Sequence, residues 1–575
     1  MRMSTTPPNP SASDSVPASL QKRVDAAQGR IECDITVKDV QAFDVFSACF
    51  RKTDISLIDG VIVGVDPGLK AKRVIDGRNR WLVPGFIDAH VHVESSMMTP
   101  AHFSSAVLKC GTTTAICDPH ELANVQGPKG LDYFLKAANQ VALDLRVMLS
   151  SCVPATHMET NGGGEIPAST LLKYINHPKA LGLAEVMNMP GVLMNDPSVH
   201  EKLEAFQHKP MDGHAPMLRG LALSAYAATG ISSCHESSEL DEAAEKLMKG
   251  ISVWIREGSV AKDLERLIPL LTLATSTTLG FCTDDRNPLD IALEGHIDYL
   301  IRSAIQKGVP PEVAYRAASW SVARHYGLNH GLDRVGAIAP GYRADLVLLS
   351  DLNTCAIETV FNRGTLIHER NHQAASKTPF ENSIRAHVPE ATDLQGPAGR
   401  VHVIDIFEGK IVTGRSVRNS TDPGVCKLSV LERYGKGSKP ANGYVAGFGD
   451  LQGAIASSVG HDSHNLIVVG QNPTDMRVAL QALMQSGGGF CVVKNGQVAE
   501  LLALPIGGLM SDLEPETLKD QLIKLKQASR DIGCQVHEPF LQLAFLSLPV
   551  IPSLKLTDHG LVDVDQFKII DVRAS

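Results

Sequence analysis

Short apolar runs alternate with longer amphipathic stretches through the middle of the chain, from about residue 84 to 332. A short apolar run bounded by turn residues is typical of a buried strand, whereas apolar residues at three- and four-residue spacing indicate a helix. Alternation at this pitch predicts a parallel sheet with crossover helices. The strand candidates are GFIDAHVHV, TTTAICDPH, LRVMLSSCV, LGLAEVM, PMDGHAP, ISSCHES, SVWIREGS and TLGFCTDD.

Eight strand candidates in this region favour an α/β fold built on a closed (β/α)8 barrel, which typically needs about 250 residues. An open, doubly wound sheet is the structural alternative. A dinucleotide-binding version of that sheet has no support, because no G-x-G-x-x-G follows the first strand candidate.

The segments on either side of the barrel region carry a different pattern. Residues 31–83 and 333–373 alternate apolar and polar positions between Gly, Asp and Pro turn signals, so we expect them to form one composite small β-sandwich domain. Residues 374–575 carry their own apolar runs and predict an additional α+β domain. Residues 1–30 begin with a stretch rich in Pro and Ser, which predicts a disordered tail.

Composition and charge narrow the class of protein. The chain has 575 residues, 43% hydrophobic, with a formal net charge of -9, as expected for a globular protein of several domains. The acidic balance argues against a nucleic-acid partner. Neither a membrane-spanning helix nor a secretory signal is indicated. The eleven scattered cysteines are typical of reduced thiols, so we expect a cytoplasmic protein.

Two histidines end the first strand candidate. His90 and His92 are two residues apart, which on a strand places both imidazoles on the same face. At the carboxyl end of a barrel strand they would point into the mouth, where active sites form. A lone histidine is usually a core residue, but a His-x-His pair directly after an apolar strand, with Asp88 beside it, indicates a metal site.

Four more metal-binding side chains occupy the same place relative to their strands. A mixed set of imidazoles and carboxylates suits Zn, Fe or Mn. Singly, each could be a helix cap or a polar loop residue, and Asp284 with Asp285 could be only an N-cap cluster. All four stand at the end of a strand candidate, which chance explains poorly, so the pattern predicts one metal centre. The four are Glu185, His214, His235 and Asp284.

Further polar residues have two or more alternative roles. Asp118 and His120 follow the second strand candidate and could bind an extra metal, orient a metal ligand, or cap the next helix. Arg256 and Glu257 could contact substrate or form a buried ion pair that holds the seventh strand. The candidates for substrate binding are backbone groups, Ser151, Arg256, Glu257, and the C-terminal loops near His464 and Met510.

A metal centre of this composition suits hydrolysis. Metal coordination lowers the pKa of water towards about 7, and two metals can share one hydroxide. Asp284 could take a proton from this nucleophile and deliver it to the leaving group. Glu185 and His235 are candidates to protonate the substrate atom that accumulates charge.

Taken in order, the motifs resemble a known family. PGFIDAHVHVESSMMTP, GTTTAICDPHELANVQG, ISSCHESSELDEA, GAIAPGYRADLVLLSDL, GGGFCVVKNGQ and LPVIPSLKLTDHGLVDV are similar to the bacterial adenine deaminases of the amidohydrolase superfamily. These enzymes act on the free base and are unlike the adenosine deaminases. The resemblance covers nearly the whole chain beyond the first thirty residues, and the ordered set is highly specific.

The resemblance implies hydrolysis of adenine to hypoxanthine and ammonia, by a metal-bound hydroxide that attacks C6. It implies a binuclear centre of Mn or Fe, with Zn as an alternative, and a homodimer active in purine metabolism. Glu185 matches the bridging acid of the fourth strand, where many superfamily relatives carry a carboxylated lysine. The other matching ligands are His90 and His92 of strand one, His214 and His235 of strands five and six, and Asp284 of strand eight.

Two other functions stay open at this point. A cyclic-amide hydrolase related to dihydroorotase or hydantoinase would share the barrel, but such enzymes typically carry a lysine where this chain has Glu185. A binding protein whose barrel has lost its catalytic activity would tend to lose metal ligands, and all six candidates are present here.

Overall fold

The computed structural model describes residues 20–370, 380, 382–437 and 439–574. The sequence predicts a disordered tail up to residue 30, but Leu20–Ala27 forms helix α1. Ala26 of this helix is buried in a small apolar cluster with Cys33 and Val63, so tertiary packing orders a segment that composition alone does not distinguish from the tail. The remainder of the predicted tail, 1–19, lies outside the described residues.

Five strands follow α1 and begin the first sheet. The longest, β1, pairs antiparallel with β2 and parallel with β4 and β5. The strands are β1 (Cys33–Asp44), β2 (Cys49–Ile58), β3 (Val61–Gly64), β4 (Ala71–Asp76) and β5 (Trp81–Pro84).

The next eight strands form a parallel sheet in sequential order, as the apolar pattern predicts. The sheet closes into a barrel through a parallel bridge between Val91 and Asp284, where the Asp284 N–H donates to the His90 carbonyl oxygen at 3.0 Å. The strands are β6 (Phe86–Val91), β7 (Thr112–Cys117), β8 (Asp144–Leu149), β9 (Ala180–Val186), β10 (Met211–Gly213), β11 (Ser233–Cys234), β12 (Ser252–Arg256) and β13 (Leu279–Cys282).

Helices connect the barrel strands and follow the last of them. Many begin with proline at the first or second position, where the missing N–H would have no partner inside the helix. They are α2 (Pro100–Lys109), α3 (His120–Gln126), α4 (Pro128–Ala138), α5 (Ala168–Leu171), α6 (Met189–Leu193), α7 (Pro197–Ala205), α8 (Gly220–Ala228), α9 (Leu240–Met248), α10 (Leu264–Leu267), α11 (Pro288–Leu293), α12 (Ile297–Gln306), α13 (Pro311–Ala317) and α14 (Trp320–His325).

After the barrel the chain returns to the first sheet. Three strands, β14 (Leu346–Asp351), β15 (Ala356–Asn362) and β16 (Thr365–Leu366), extend it in the order β16-β15-β14-β5-β1-β2-β3. Because β14 pairs antiparallel with β5, two segments separated by the whole barrel share one eight-stranded sheet.

The C-terminal part contains an eight-stranded and a three-stranded sheet with three α-helices. Helix α16 packs against α11 and α2 of the barrel, and one cluster of buried apolar side chains runs from the barrel into this part. The elements are β17 (Arg400–Ile406), β18 (Thr413–Asn419), β19 (Val425–Leu431), β20 (Ala441–Ala446), β21 (Ala454–Ser457), β22 (Leu466–Gly470), α15 (Pro473–Ser486), β23 (Gly489–Lys494), β24 (Gln497–Ala503), α16 (Pro515–Asp531), α17 (Pro539–Ala544), β25 (Leu554–Thr557), β26 (Gly560–Asp563) and β27 (Lys568–Ile570).

Among the described residues, no helix is both long enough and apolar enough to span a membrane.

Candidate active site

Six side chains with metal-binding groups meet in the mouth of the barrel. They come from the ends of five strands, and each is at least nine-tenths buried. The Nε2 atoms of His90 and His92 lie 3.2 Å apart, so the two imidazoles converge as the i, i+2 spacing predicts. The structure therefore brings together all six residues that the sequence singled out: His90, His92, Glu185, His214, His235 and Asp284.

Glu185 faces two separate groups of imidazoles. Its Oε1 lies 3.2 Å from His92 Nε2 and 3.5 Å from His90 Nε2. Its Oε2 lies 2.6 Å from His214 Nδ1 and 3.3 Å from His235 Nε2. Burial opposes ionisation, but the facing imidazoles outweigh it and hold the pKa of Glu185 well below its usual range. The two oxygens of one carboxylate can thus serve two neighbouring positions.

Asp284 completes the first of these positions. Its Oδ1 lies 3.2 Å from His92 Nε2 and 3.6 Å from His90 Nε2, and its Oδ2 accepts a hydrogen bond from Arg256 at 2.9 Å. Burial opposes ionisation, but hydrogen bonds from His90 and His92 outweigh it and hold the pKa of Asp284 well below its usual range. The backbone at Asp284 is left-handed, with φ of 53°, and aspartate tolerates this conformation better than most residues.

A backbone contact fixes the orientation of His92. Its Nδ1 lies 2.9 Å from the carbonyl oxygen of Asp118, so the N–H donates there and Nε2 keeps its lone pair for the site. The Asp118 carboxylate accepts from Ser150 Oγ at 3.1 Å and from both the backbone N–H and the ring of His120 at 3.0 Å. Potential ligand atoms of Asp118, His120, His92 and Glu185 also lie within 4.8 Å of one another, so the extra metal and the orienting role both stay predictions for Asp118 and His120.

The residues present fit divalent cations. Potential ligand atoms of Glu185, His214 and His235 lie within 4.8 Å of one another, as do those of His90, His235 and Asp284. The contacts of His120 suit either a metal ligand or a partner of Asp118, because its Nδ1 lies 3.0 Å from Asp118 Oδ2 and 3.5 Å from Glu185 Oε1. Imidazole and carboxylate donors in this arrangement are typical of Zn, Fe and Mn.

Arg256 lies in the site but pairs with carboxylates that the sequence analysis did not connect to it. Its guanidinium donates to both oxygens of Glu236, to Asp263 Oδ2 at 3.1 Å, and to Asp284 Oδ2. Glu257 is not its partner, because adjacent residues of a strand point to opposite faces. The Glu257 carboxylate accepts the Leu264 N–H at 3.1 Å instead, so the predicted Arg256–Glu257 ion pair is wrong.

The other substrate-binding candidates do not line the cavity, which is lined by five of the six ligand-type residues, all except His90. Ser151 Oγ donates to the Glu185 carbonyl oxygen at 2.5 Å, which fixes the end of β9. Met510 is buried beneath the C-terminal part, where its backbone pairs with Ile506. His464 is buried against Glu121. Of the proposed substrate contacts, only Arg256 lines the cavity.

The C-terminal part supplies one wall of the cavity, with four apolar and two polar side chains. The two polar ones belong to the loop near His464, where the sequence analysis expected substrate contacts, whereas the apolar ones were not anticipated. The sequence gives little indication of these polar wall residues. The His-Asp pair lies in the Gly- and Ser-rich segment SSVGHDSHN and does not stand at the end of a predicted strand. The wall residues are Ile411, Phe545, Leu548, Ile551, His461 and Asp462.

Comparison with known proteins places this site in a family. Residues 81–367 match the family model described as amidohydrolase family, and residues 406–568 match the adenine deaminase C-terminal domain. A protein of Methylobacterium nodulans named adenine deaminase is 48% identical over 570 residues, covering 96% of this chain and all of that protein. An adenine deaminase of Gluconobacter oxydans is 48% identical, covering 95% of this chain and 98% of that protein.

The chain belongs to the adenine deaminase family. Among solved structures, an adenosine deaminase from Xanthomonas campestris with bound zinc covers 58% of this chain and 93% of its own, with a TM-score of 0.43 and 15% identity. The family match, together with the buried group of ligand-type side chains, supports a divalent metal in the barrel of this adenine deaminase family member.

Replacing Arg256 with methionine is expected to lower the free energy of unfolding by about 3–5 kcal/mol, because it leaves buried carboxylates without their positive partner. Chemical denaturation of the metal-loaded protein measures the change. Arg219→Met is the matched control, since Arg219 is 42% exposed where it pairs with Asp241, and such surface pairs contribute about 0–1 kcal/mol. Equal losses in the two variants would show that the Arg256 network is not stabilising.

Proposed function

We propose that this chain hydrolyses adenine to hypoxanthine and ammonia in the mouth of its barrel. The observation that carries the proposal is the convergence of all six ligand-type side chains in a chain 48% identical, over nearly its full length, to proteins named adenine deaminase. The same observation disfavours a non-catalytic barrel, which would have no need to keep the set. Glu185 at the end of β9 disfavours a cyclic-amide hydrolase of the lysine-bearing type.

We propose two cation positions that share Glu185. His90, His92, Asp284 and Oε1 of Glu185 would hold one cation, and His214, His235 and Oε2 of Glu185 would hold the other. The distances above support this division, since each oxygen of Glu185 faces its own pair of imidazoles. Mn or Fe is the expected metal from the family resemblance. Such cations lower the pKa of water at the site, so that a hydroxide nucleophile forms near neutral pH.

Side chains of the protein would transfer the protons of the reaction. Asp284 is an ionised carboxylate beside the cation position, so it can accept a proton from the attacking water and pass it to the exocyclic amine. The C6–N bond then breaks, ammonia leaves, and water oxygen becomes the 6-oxo group of hypoxanthine. Arg256 holds Asp284 by a hydrogen bond to Oδ2, which aims Oδ1 at the reacting centre.

Attack at C6 also requires a proton on N1 of the base. The sequence analysis favours Glu185 as the donor, with His235 as a further candidate. The contacts support a bridging role for Glu185 better, because both of its oxygens already face imidazole nitrogens. His235 is likewise placed as a ligand, with Nε2 3.3 Å from Glu185 Oε2. We therefore propose that the attacking water supplies both protons, one to N1 and the other through Asp284 to the exocyclic amine.

The apolar wall from the C-terminal part suits a flat purine. Ile411, Phe545, Leu548 and Ile551 cover the cavity opposite the metal-binding group. Apolar contact with the ring faces and exclusion of water both favour an aromatic base over a charged or bulky substrate. A homodimer, a cytoplasmic location and a role in purine metabolism are implied by the family resemblance and stay predictions.

Ammonia release from a panel of bases tests the proposed function. The protein is first reconstituted with Mn or Fe, and adenine is compared with other purines, pyrimidines and cyclic ureides. We expect adenine to be the preferred substrate, with hypoxanthine formed in equal amount to ammonia. Hydrolysis of a cyclic ureide without ammonia release from adenine would reject the proposal in favour of another amidohydrolase activity.

A further inference from the structure

A second group of ligand-type side chains lies beside the six-residue site. Glu121 stands at the start of α3, Asp285 follows β13, and His461 belongs to the C-terminal segment between β21 and β22. One potential ligand atom of each lies within 4.8 Å of the others, and all three side chains are at least nine-tenths buried. None of them is assigned to the two cation positions at Glu185.

The contacts inside this group resemble those of ligands around a common point. Glu121 Oε1 lies 2.8 Å from His461 Nδ1, yet neither Glu121 oxygen has a partner with hydrogen-bond geometry. Two ligands about 2.1 Å from one cation and at right angles lie about 3 Å apart without pointing at each other. The separation and the missing hydrogen-bond geometry both match that arrangement.

Outer contacts orient the two carboxylates. Ser95 Oγ donates to Asp285 Oδ1 at 2.5 Å. His464 Nδ1 accepts the Gly460 N–H at 3.3 Å, and its Nε2 lies against Glu121 Oε2. Partners of this kind commonly fix the ligands of a bound metal.

The concentration of buried carboxyl groups around Glu121, Asp285 and His461 also favours a bound cation. Glu121 and Asp285 bring two buried carboxyl groups together. Asp462 adds a third carboxyl group, with Oδ1 3.8 Å from His461 Nδ1. Buried charges in proteins are normally paired or coordinate a metal.

We propose that Glu121, Asp285 and His461 bind a third divalent transition-metal cation, separate from the pair at Glu185. Its two carboxylates and one imidazole suit Mn, Fe or Zn. All three residues line the same cavity as the main site, which gives the cation an entry path. This inference goes beyond the proposed reaction and does not depend on the identity of the substrate.

The third cation would link the C-terminal part to the mouth of the barrel, because its ligands come from both. Glu121 and Asp285 belong to the barrel, whereas His461 belongs to the segment that supplies the cavity wall. The His461 ring stacks on Phe545, with centroids 4.5 Å apart and an interplanar angle of 11°. A cation that fixes His461 would therefore also fix Phe545, a main apolar surface of the base pocket.

Manganese binding by the full-length protein tests this proposal. Metal-free protein is reconstituted with Mn²⁺, freed of excess metal, and analysed for manganese per chain. We expect three in the wild type, two in both Glu121→Gln and His461→Asn, and three in the control His559→Asn, whose ring is about 39% exposed beside Asp558. Added Mn²⁺ should raise the thermal midpoint of the wild type more than that of either variant, because the cation would bind only the folded protein.

A wild-type content of two that is unchanged in His461→Asn would overturn the proposal, as would three in all variants. Anomalous diffraction at the manganese edge from wild-type crystals gives an answer even if both variants fold poorly. We expect a peak between Glu121 and His461, and its absence at full occupancy of the main site would refute the third position. Adenine turnover is measured in parallel, so a protein that binds three cations without deaminating adenine would reject only the proposed function.

Discussion

Replacing Asp284 with asparagine is expected to lower adenine turnover by about 10²–10⁴-fold, the usual contribution of a general acid–base group. Asparagine keeps the size of the side chain, tolerates the left-handed backbone at φ 53°, and retains an oxygen towards His92. It cannot accept the proton of the attacking water. The measurement is kcat for ammonia release by the Mn-loaded variant.

Metal content decides how the Asp284→Asn result is interpreted. We expect it to match the wild type, because His90, His92 and Glu185 remain around the same position. If turnover stays within tenfold of the wild type with full metal occupancy, Asp284 is not the proton carrier. A loss of metal would show that the other three ligands cannot hold the cation without the Asp284 carboxylate, and a pH–rate profile of the remaining activity would then show whether its proton role persists.

Replacing Glu185 with glutamine is expected to remove one cation from the main site and to lower adenine turnover by more than about 100-fold. Loss of outer-shell partners alone costs about 10–100-fold in metal affinity or activity, and Glu185 is placed as a direct ligand. Glutamine presents an oxygen to one group of imidazoles and an amide NH₂ to the other, so only one position keeps its carboxylate-like donor. Elemental analysis and kcat measure the two effects.

Glu159→Gln is the matched control for Glu185→Gln. Glu159 is buried, and burial together with nearby Asp462 raises the pKa of its carboxyl to about 8, so it is largely neutral near pH 7. The same amide substitution there changes little charge and should leave the metal content as in the wild type. Full metal content in Glu185→Gln would contradict the bridging assignment, whichever substrate the protein prefers.

Local patterns of the sequence predicted the barrel and the six side chains that converge in its mouth. The eight apolar runs became the eight parallel strands, and the i, i+2 spacing of His90 and His92 gave two converging rings. These predictions depend on the alternation of side chains along a strand and on the common direction of parallel strands, which local sequence encodes. Helix α1 was missed, because a short polar helix depends on packing by few residues such as Ala26.

Contacts between distant segments were predicted less well. The pairing of Arg256 with Glu236 instead of Glu257 follows from which face of β12 each side chain occupies and from what the neighbouring strand end presents there. The cavity wall at Phe545 lies far along the chain from the barrel strands. Neither the period of hydrophobic residues nor the spacing of motifs indicates which distant segments of the chain pack against each other.

The sequence by itself determined the strand–helix order, the six ligand-type residues and the family. Each of these is carried by side-chain type and local spacing. Only the tertiary structure decided that Glu185 faces two groups of imidazoles, that Arg256 holds Asp284, and that Glu121 and His461 meet across two parts of the chain. The physical reason is that these contacts arise where separate elements pack together, and their distances depend on the closed barrel and the C-terminal part that covers its mouth.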